Sequence, residues 1–316
     1  MISLNRLAPD DTRPSSDKTL AASITRAASA QTYYTIRFLV DRDLVVDAYQ
    51  AYAYFRWVDD WLDQGTHPRS ERLAFVERQQ ALIDACSRGH APADLTPEEG
   101  LLSALIQHDP DRNSGLQAYI RHMMAVIVFD AGRCGQLISQ RELSQYTRWL
   151  AVAVTEALHY FIGHQGASPR GEARYLAATG AHIAHMLRDT LEDAEAGYYN
   201  VPREVVTANR LAPWDVGSQA YRDWVKARVH KARACFRLGR DYLAQVENLR
   251  CRIAGHAYIY RFEGVLDCIE REGYTLRAGY PEGKGYRRGL EMFGRALWMA
   301  LKYRQPASAS PALPIR

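Results

Sequence analysis

Helical periodicity runs through almost the whole chain, and nowhere do apolar and polar residues alternate over the length of a strand. Apolar residues at three- and four-residue intervals predict helices near 18–40, 44–64, 70–87, 97–107, 116–131, 141–165, 171–195, 217–246, 250–272 and 286–303. Start and stop signals agree with this pattern. Thr96-Pro97-Glu98-Glu99 supplies an N-cap, a proline at the first helical position and a capping-box glutamate, and Ser139 with Glu142 forms a second box. Ser168-Pro169 opens a further helix, while Gly89 and Gly273 stand at C-cap positions. Such a chain is expected to be all-α. No repeat of roughly 30–50 residues supports a solenoid. The 316 residues could fill two domains, but no Pro-rich linker divides them, so one domain over 18–304 is expected. Residues 1–17 and 305–316 read as disordered tails.

Composition narrows the class. With 47% hydrophobic and 24% charged residues the chain is neither fibrous nor wholly disordered. A net charge of +4 is too small to argue for nucleic acid. The five cysteines (Cys86, Cys134, Cys235, Cys251 and Cys268) are odd in number and include no CxxC pair. They fit a reducing compartment better than a disulfide framework or a four-cysteine zinc site. No apolar run approaches the ~18 residues of a membrane span, and the N-terminus has no apolar signal core. The expected location is the cytoplasm. The basic run Lys226–Arg240 is expected to be the solvated face of an amphipathic helix, with peripheral contact to anionic lipid as a second reading.

The chemistry concentrates in two acidic stripes. In Tyr52–Gln64, Asp59 and Asp63 are spaced i,i+4 and share a helix face, with Asp60 at its edge. In His185–Gly197, Asp189 and Asp193 repeat that spacing beside Glu192. Arg56 precedes the first stripe and Arg188 the second. One such motif is ordinarily a solvated acidic face. Two of them, each behind an arginine and set in apolar helices, call for cations. At 4 Å two like charges repel by ~1 kcal/mol in water and ~4 kcal/mol at an effective dielectric of 20. Mg²⁺ bridging carboxylates to substrate phosphates is the natural answer, and it suits ionisation of a diphosphate ester.

With these residues in view, the chain resembles the squalene and phytoene synthases, which join two prenyl diphosphates head to head. The resemblance covers about residues 23–303. It starts at Thr32-Tyr33-Tyr34 and continues through Arg37, Tyr49 and Tyr52-Ala53-Tyr54-Phe55-Arg56 to Asp59-Asp60-x-x-Asp63. It resumes at Leu187-Arg188-Asp189-x-x-Glu192-Asp193, Gly197 and Pro202-Arg203-Glu204, and ends at Tyr258 and Val265–Tyr274. It implies an all-α isoprenoid-synthase-type helical bundle around a central cavity, with the two acidic helices face to face. By the same resemblance Asp59, Asp63, Asp189 and Asp193 would bind Mg²⁺, with Mn²⁺ as a substitute, and Asp60 and Glu192 would support them. Arg56 and Arg188 would contact diphosphate oxygens. Thr32 and Tyr33 would line the first-substrate pocket, and Tyr52 the diphosphate side.

The chain also departs from the family pattern. His182 and His185 stand where Gln and Asn are usual. Gln136 is the nearest equivalent of a tyrosine that follows Asp130. Val152 and Thr155 replace small glycines after Tyr146, and Glu156 follows. Gly197-Tyr198-Tyr199-Asn200-Val201-Pro202 replaces a Gly-Arg-x-Tyr-x-Pro element. His185 is expected to donate to diphosphate in place of the amide, with His182 beside it on the substrate. The stripe His182, His185, Asp189, Asp193 could alternatively take zinc. His159 and His164 are expected to be packing or surface residues. The expected function is therefore a divergent, Mg²⁺-dependent prenyltransferase acting on C15 or C20 prenyl diphosphates. The alternatives are a lyase or cyclase using a single prenyl diphosphate, and a non-catalytic assembly protein on the same fold. A squalene-type outcome would add NADPH and a phytoene-type outcome would not; the lack of a GxGxxG fingerprint decides nothing, because the family binds NADPH without one.

Overall fold

The protein is described by a computed structural model over residues 13–63, 67–163, 168–280 and 286–302. These residues fold into α-helices joined by turns, with one isolated bridge, Leu137–Tyr199, and no strand among them. The chain forms two compact units, residues 1–67 with 77–110 and residues 68–76 with 111–316. The first of the expected tails lies outside the described residues over 1–12. Residues 13–17, expected to be part of that tail, are the start of the first helix. The other tail, 305–316, lies wholly outside them, as does His164.

In the first unit, α1 (Arg13–Ala28) and α2 (Ala30–Leu39) divide the single helix expected at 18–40. The break is Ser29, whose extended backbone (φ −152°, ψ 102°) lets its hydroxyl cap the Thr32 N–H. A 3-10 turn (Arg42–Leu44) leads into α3 (Val45–Asp63); α4 (Arg69–Ser87), of which only the part from Glu77 belongs to this unit, and α5 (Pro97–His108) follow. The α3 helix is apolar on several sides and packs against α1 and α5, burying Ala53, Tyr54, Val58 and Leu62. One polar chain crosses this core. The Tyr54 hydroxyl donates to Gln79 Oε1 (2.8 Å), and Gln79 Nε2 donates to Glu99 Oε1 (2.9 Å). Arg78 then grips both Glu99 oxygens at 2.8 Å. That grip holds the Glu99 carboxyl down at about 2, while the same carboxylate completes the capping box with Thr96.

The second unit contains α6 (Gly115–Arg133), α7 (Gln140–Phe161), α8 (Leu176–Arg188), α9 (Thr190–Glu195), α10 (Arg203–Asn209), α11 (Gln219–Leu243), α12 (Leu249–Arg271) and α13 (Tyr286–Lys302). The Ser139–Glu142 capping box opens α7 as expected. The helix expected at 171–195 begins instead with a 3-10 turn (Glu172–Tyr175) and breaks at Asp189 (φ −98°, ψ 8°). At the break the Thr190 hydroxyl donates to the Met186 carbonyl (2.7 Å), a back-bond that bends helices. The short α10, seven residues long, has too few turns to show a period.

The center of this unit is α8, buried on most sides and packed against α7, α11 and α12. Its small residues set the approach. A Cβ on Gly180 would lie 2.9 Å from the Phe236 ring, and one on Gly239 would lie 2.8 Å from Ala177 N. Gly239→Ala must therefore push backbone from backbone. We expect a loss of roughly 1–3 kcal/mol from overpacking, outweighing the ~1 kcal/mol helix-propensity gain; urea denaturation measures it.

One expectation changes here. The basic run on α11 is only partly a solvated face. Arg233 and Arg240 are ion-paired to Glu263, Asp267 and Glu270 of α12, and Arg228 is buried. All five cysteines are free. No helix of the described residues is long and apolar enough to cross a membrane.

Candidate active site

The first acidic stripe occupies the exposed last turns of α3. Arg56 reaches forward to its own motif, with Nη1 3.3 Å from Asp59 Oδ2 and Nη2 on Asp60 Oδ1. Asp63 is exposed at the helix end. Across from α3, Ser29 and Thr32 hydrogen-bond the Tyr52 hydroxyl, and burial pushes that phenol above its usual range. Thr32 itself donates to Ser29 Oγ (2.9 Å). Tyr33 packs on Tyr34 and Tyr49, and its carbonyl accepts from the Tyr49 hydroxyl (3.2 Å). The first unit thus gathers Thr32, Tyr52, Arg56, Asp59 and Asp60, all singled out in the sequence.

The second stripe is built differently. Asp189 is clasped by Arg188, with Nε 2.5 Å from Oδ1 and Nη2 2.7 Å from Oδ2. His185 Nε2 stands 2.8 Å from Oδ2. Burial opposes ionisation of Asp189, but Arg188 and His185 outweigh it and hold the carboxyl well below its usual range. Asp193 has the opposite fate. Burial, with Asp189 and Asp130 repelling, pushes it up to about 7. Its one hydrogen bond comes from Asn200 Nδ2 (2.7 Å). Glu192 accepts from the Gly279 N–H (3.0 Å).

Behind Asp193 lies a network that the sequence did not announce as a site. Asn200 Oδ1 accepts from Arg133 Nη1 (3.2 Å), Arg133 Nε donates to Asp130 Oδ1 (2.5 Å), and the Tyr146 hydroxyl donates to Asp130 Oδ2 (2.8 Å). Arg133 also lies over the rings of Tyr146 and Tyr198, 5.1 Å from each centroid. The turn after α6 is fastened to the loop after α9, with Gly135 N–H donating to the Gly197 carbonyl (2.8 Å). The Leu137–Tyr199 bridge extends that seam and brings Asn200 to Asp193. Gln136 is exposed in the turn, whereas Tyr146, used only as a landmark in the sequence, is buried and bonded to the acid. An Asp130–Arg133 pair at i,i+3 on an apolar helix was the available signal.

The zinc reading of the α8 stripe is not supported. His182 is 4% exposed, beside Tyr146, with both ring nitrogens unpartnered. His185 turns to Asp189 and Phe262 instead, and the backbone bends at Asp189. Among the described residues no three His, Cys, Asp or Glu side chains form a ready cage. Mg²⁺ does not need one, since it keeps waters and binds through one or two carboxylates. The Asp189–Asp193 pair fits that demand in donor chemistry: Asp189 is held ionised, and its charge helps to raise Asp193.

The departures along α7 also have structural roles. Thr155 lines a small cavity with His159, Arg174, Tyr242 and Cys251. Glu156 receives both Arg174 nitrogens (2.8 and 3.0 Å) and the Tyr175 hydroxyl. His159 is within 2.9 Å of the Tyr242 hydroxyl, and burial lowers it to about 4. Cys251 lies 3.7 Å from His159, but burial raises its thiol to about 12, so the pair is not an activated nucleophile.

Comparison with known proteins agrees with this architecture. A family model described as squalene/phytoene synthase matches residues 25–287. Among solved structures, the chain is similar to a dehydrosqualene synthase determined in complex with ligand, at 16% identity and a TM-score of 0.69, over 89% of this chain and 95% of that one. It is also similar to the squalene synthase HpnC from Alicyclobacillus acidocaldarius, at 20% identity and a TM-score of 0.65, over 83% of this chain and 96% of that one. No curated protein matches the chain. With an all-α isoprenoid-synthase fold and a family match over most of its length, the chain belongs to the squalene/phytoene synthase family.

Proposed function

We propose that this protein is a Mg²⁺-dependent prenyltransferase that condenses two prenyl diphosphates of the C15 or C20 class head to head and releases diphosphate. The observation that carries the reading is the pairing of an arginine with a carboxylate stripe twice, Arg56 with Asp59 and Asp60, and Arg188 with Asp189. In the resting chain each arginine is held by its own acids. Substrate diphosphate would draw the guanidinium groups to its oxygens, leaving Asp59 with Asp63 on the first stripe, and Asp189 with Asp193 on the second, to hold Mg²⁺. When bound, Mg²⁺ supplies Lewis-acid neutralisation of the departing diphosphate. Asp189, kept ionised, is ready at any physiological pH, while Asp193 must first release a proton.

Tyr52, His185, Thr32 and Tyr33 are assigned to substrate positioning. His182, being buried, would touch substrate only from the cavity side of α8. A single-substrate lyase or cyclase is the second reading. It is favored by the filled space along α7, where Val152 is buried and Glu156 is locked to Arg174.

Incubating the purified protein with Mg²⁺ and C10, C15 and C20 prenyl diphosphates, with and without NADPH, tests both by mass spectrometry of the products. A hydrocarbon of twice the substrate carbon number is expected. An unchanged carbon number supports the second reading. No diphosphate release above that of Asp59→Asn/Asp63→Asn would sink both.

A further inference from the structure

Four polar groups on α8 and α11 have no bonding partner among the described residues. Tyr221, Trp224 and Arg228 recur at i, i+3 and i+7 on α11, within about 60° of one another around the helix. The Tyr221 hydroxyl and Trp224 Nε1 are buried without a partner. Arg228, 7% exposed, makes no hydrogen bond or ion pair among the described residues. Tyr221 and Trp224 touch edge to face, with ring centroids 5.3 Å apart.

The facing surface of α8 completes the set. The two helices run antiparallel, with Gly239 against Ala177 and Gly180 against Ala232 and Phe236. Continuing that register brings Arg228 level with Met186, and Trp224 packs on the cluster containing Met186 and Tyr146. One turn back on α8 is His182, whose two ring nitrogens are buried and unpartnered. Arg228 acts on the His182 ring electrostatically, so the two are neighbours. Among the described residues no carboxylate offsets Arg228. Burial lowers it to about 10, and only Cys235 acts in its favor.

This set is rich in donors: a guanidinium fork, an indole N–H, a phenol O–H and an imidazole N–H. Water could satisfy the neutral donors but cannot neutralise the guanidinium. A phosphate group does both, because it carries charge and several acceptor oxygens. We propose that Tyr221, Trp224 and Arg228 of α11, with His182 of α8, form a buried, metal-independent site for a phosphate oxyanion. The occupant is either free inorganic phosphate or diphosphate, or the phosphate end of a prenyl chain. The site shares His182 with the proposed function but involves neither acidic stripe and no metal, so its failure and the failure of that reading are distinguishable.

The test uses the full chain in EDTA and follows thermal unfolding while titrating inorganic phosphate, inorganic diphosphate or a non-ionisable C15 prenyl thiodiphosphate. Wild type should be stabilised in a saturable way by at least one probe; the inorganic arms and the prenyl arm tell the two sources apart. Arg228→Gln should weaken that probe by about tenfold or more, and its anion-free melting temperature should equal or exceed that of wild type. Trp224→Phe, which removes only an N–H, should weaken the probe several-fold, and Asp193→Asn should leave it unchanged. No stabilisation of wild type by any probe overturns the proposal. So does equal affinity in both α11 variants, or an Arg228→Gln protein that is less stable than anion-free wild type or fails to fold.

Discussion

Asp193→Asn is expected to give a protein more stable than wild type that releases diphosphate about 10³-fold more slowly, the upper end of the cost of losing one preorganised electrostatic group. Both effects come from the same environment. Burial and the fields of Asp189 and Asp130 raise the Asp193 carboxyl from 3.8 to about 7. Each tenfold change in acidity is worth ~1.4 kcal/mol, so ionising this side chain costs the folded state on the order of 2–4 kcal/mol. Asparagine keeps an acceptor for Asn200 Nδ2 and removes the charge. Without metal, roughly 1–3 kcal/mol should be recovered at about pH 8. The sign follows from proton counting. Between about pH 4 and about pH 7 the folded chain holds a proton that the unfolded chain has released. Asp193 therefore makes stability fall as pH rises through that window, and contributes a constant penalty above it. Urea denaturation in EDTA at about pH 3, about pH 5 and about pH 8 should show no gain for the variant at the lowest pH, a partial gain at the middle one and the full gain at the highest. With Mg²⁺ the wild-type carboxyl must lose that proton, so Mg²⁺ affinity should climb with pH and level off above about 7. Equal diphosphate release by variant and wild type would remove Asp193 from the metal site.

The residues that declare themselves in the sequence are those whose role needs only helical spacing. Asp59 and Asp60 with Arg56, and Asp189 with Arg188, are close in sequence, so a 3.6-residue period suffices to place them. The capping boxes at Thr96 and Ser139 are equally local, as are Gly89 and Gly273 with their positive φ angles (80° and 63°). The network behind Asp193 is not local. Asn200 is 67 residues from Arg133, and a strandless seam between two turns brings them together, a contact without any periodic signature. Arg228 was hidden for another reason. It lies in the basic run Lys226–Arg240, where a buried cation cannot be told from its solvated neighbours until α8 is laid against α11. Asp189 shows a third limit: the stripe drawn through it assumed an unbroken helix, and the Thr190 back-bond bends the chain at that point.

Asp130→Ala should destabilise the protein by about 3–5 kcal/mol, as expected when one partner of a buried ion pair is removed. Arg133 is 7% exposed and Asp130 is its only carboxylate partner among the described residues. The alanine would also leave the Tyr146 hydroxyl without the acceptor it now has at 2.8 Å. Arg133 would keep the Asn200 oxygen and the Tyr146 and Tyr198 ring faces, none of which carries a neutralising charge. The loss should therefore belong to the stranded guanidinium more than to the missing contact. Two companion variants separate these. Asp130→Asn keeps one acceptor oxygen for Arg133 and turns an amide N–H toward the Tyr146 hydroxyl, but strands the same charge, so it should recover only the smaller part of the loss. Asp130→Ala/Arg133→Met removes the stranded charge and should be more stable than Asp130→Ala alone, with a coupling on the order of 1–3 kcal/mol. Additive losses in this cycle would mean that the pair contributes by packing and not by charge. The same double variant bears on the site, because Arg133 fixes the Asn200 amide and Asn200 donates to the Asp193 carboxylate. It should recover stability without recovering diphosphate release, since the Asp193 side chain would lose the orientation that the seam imposes on it.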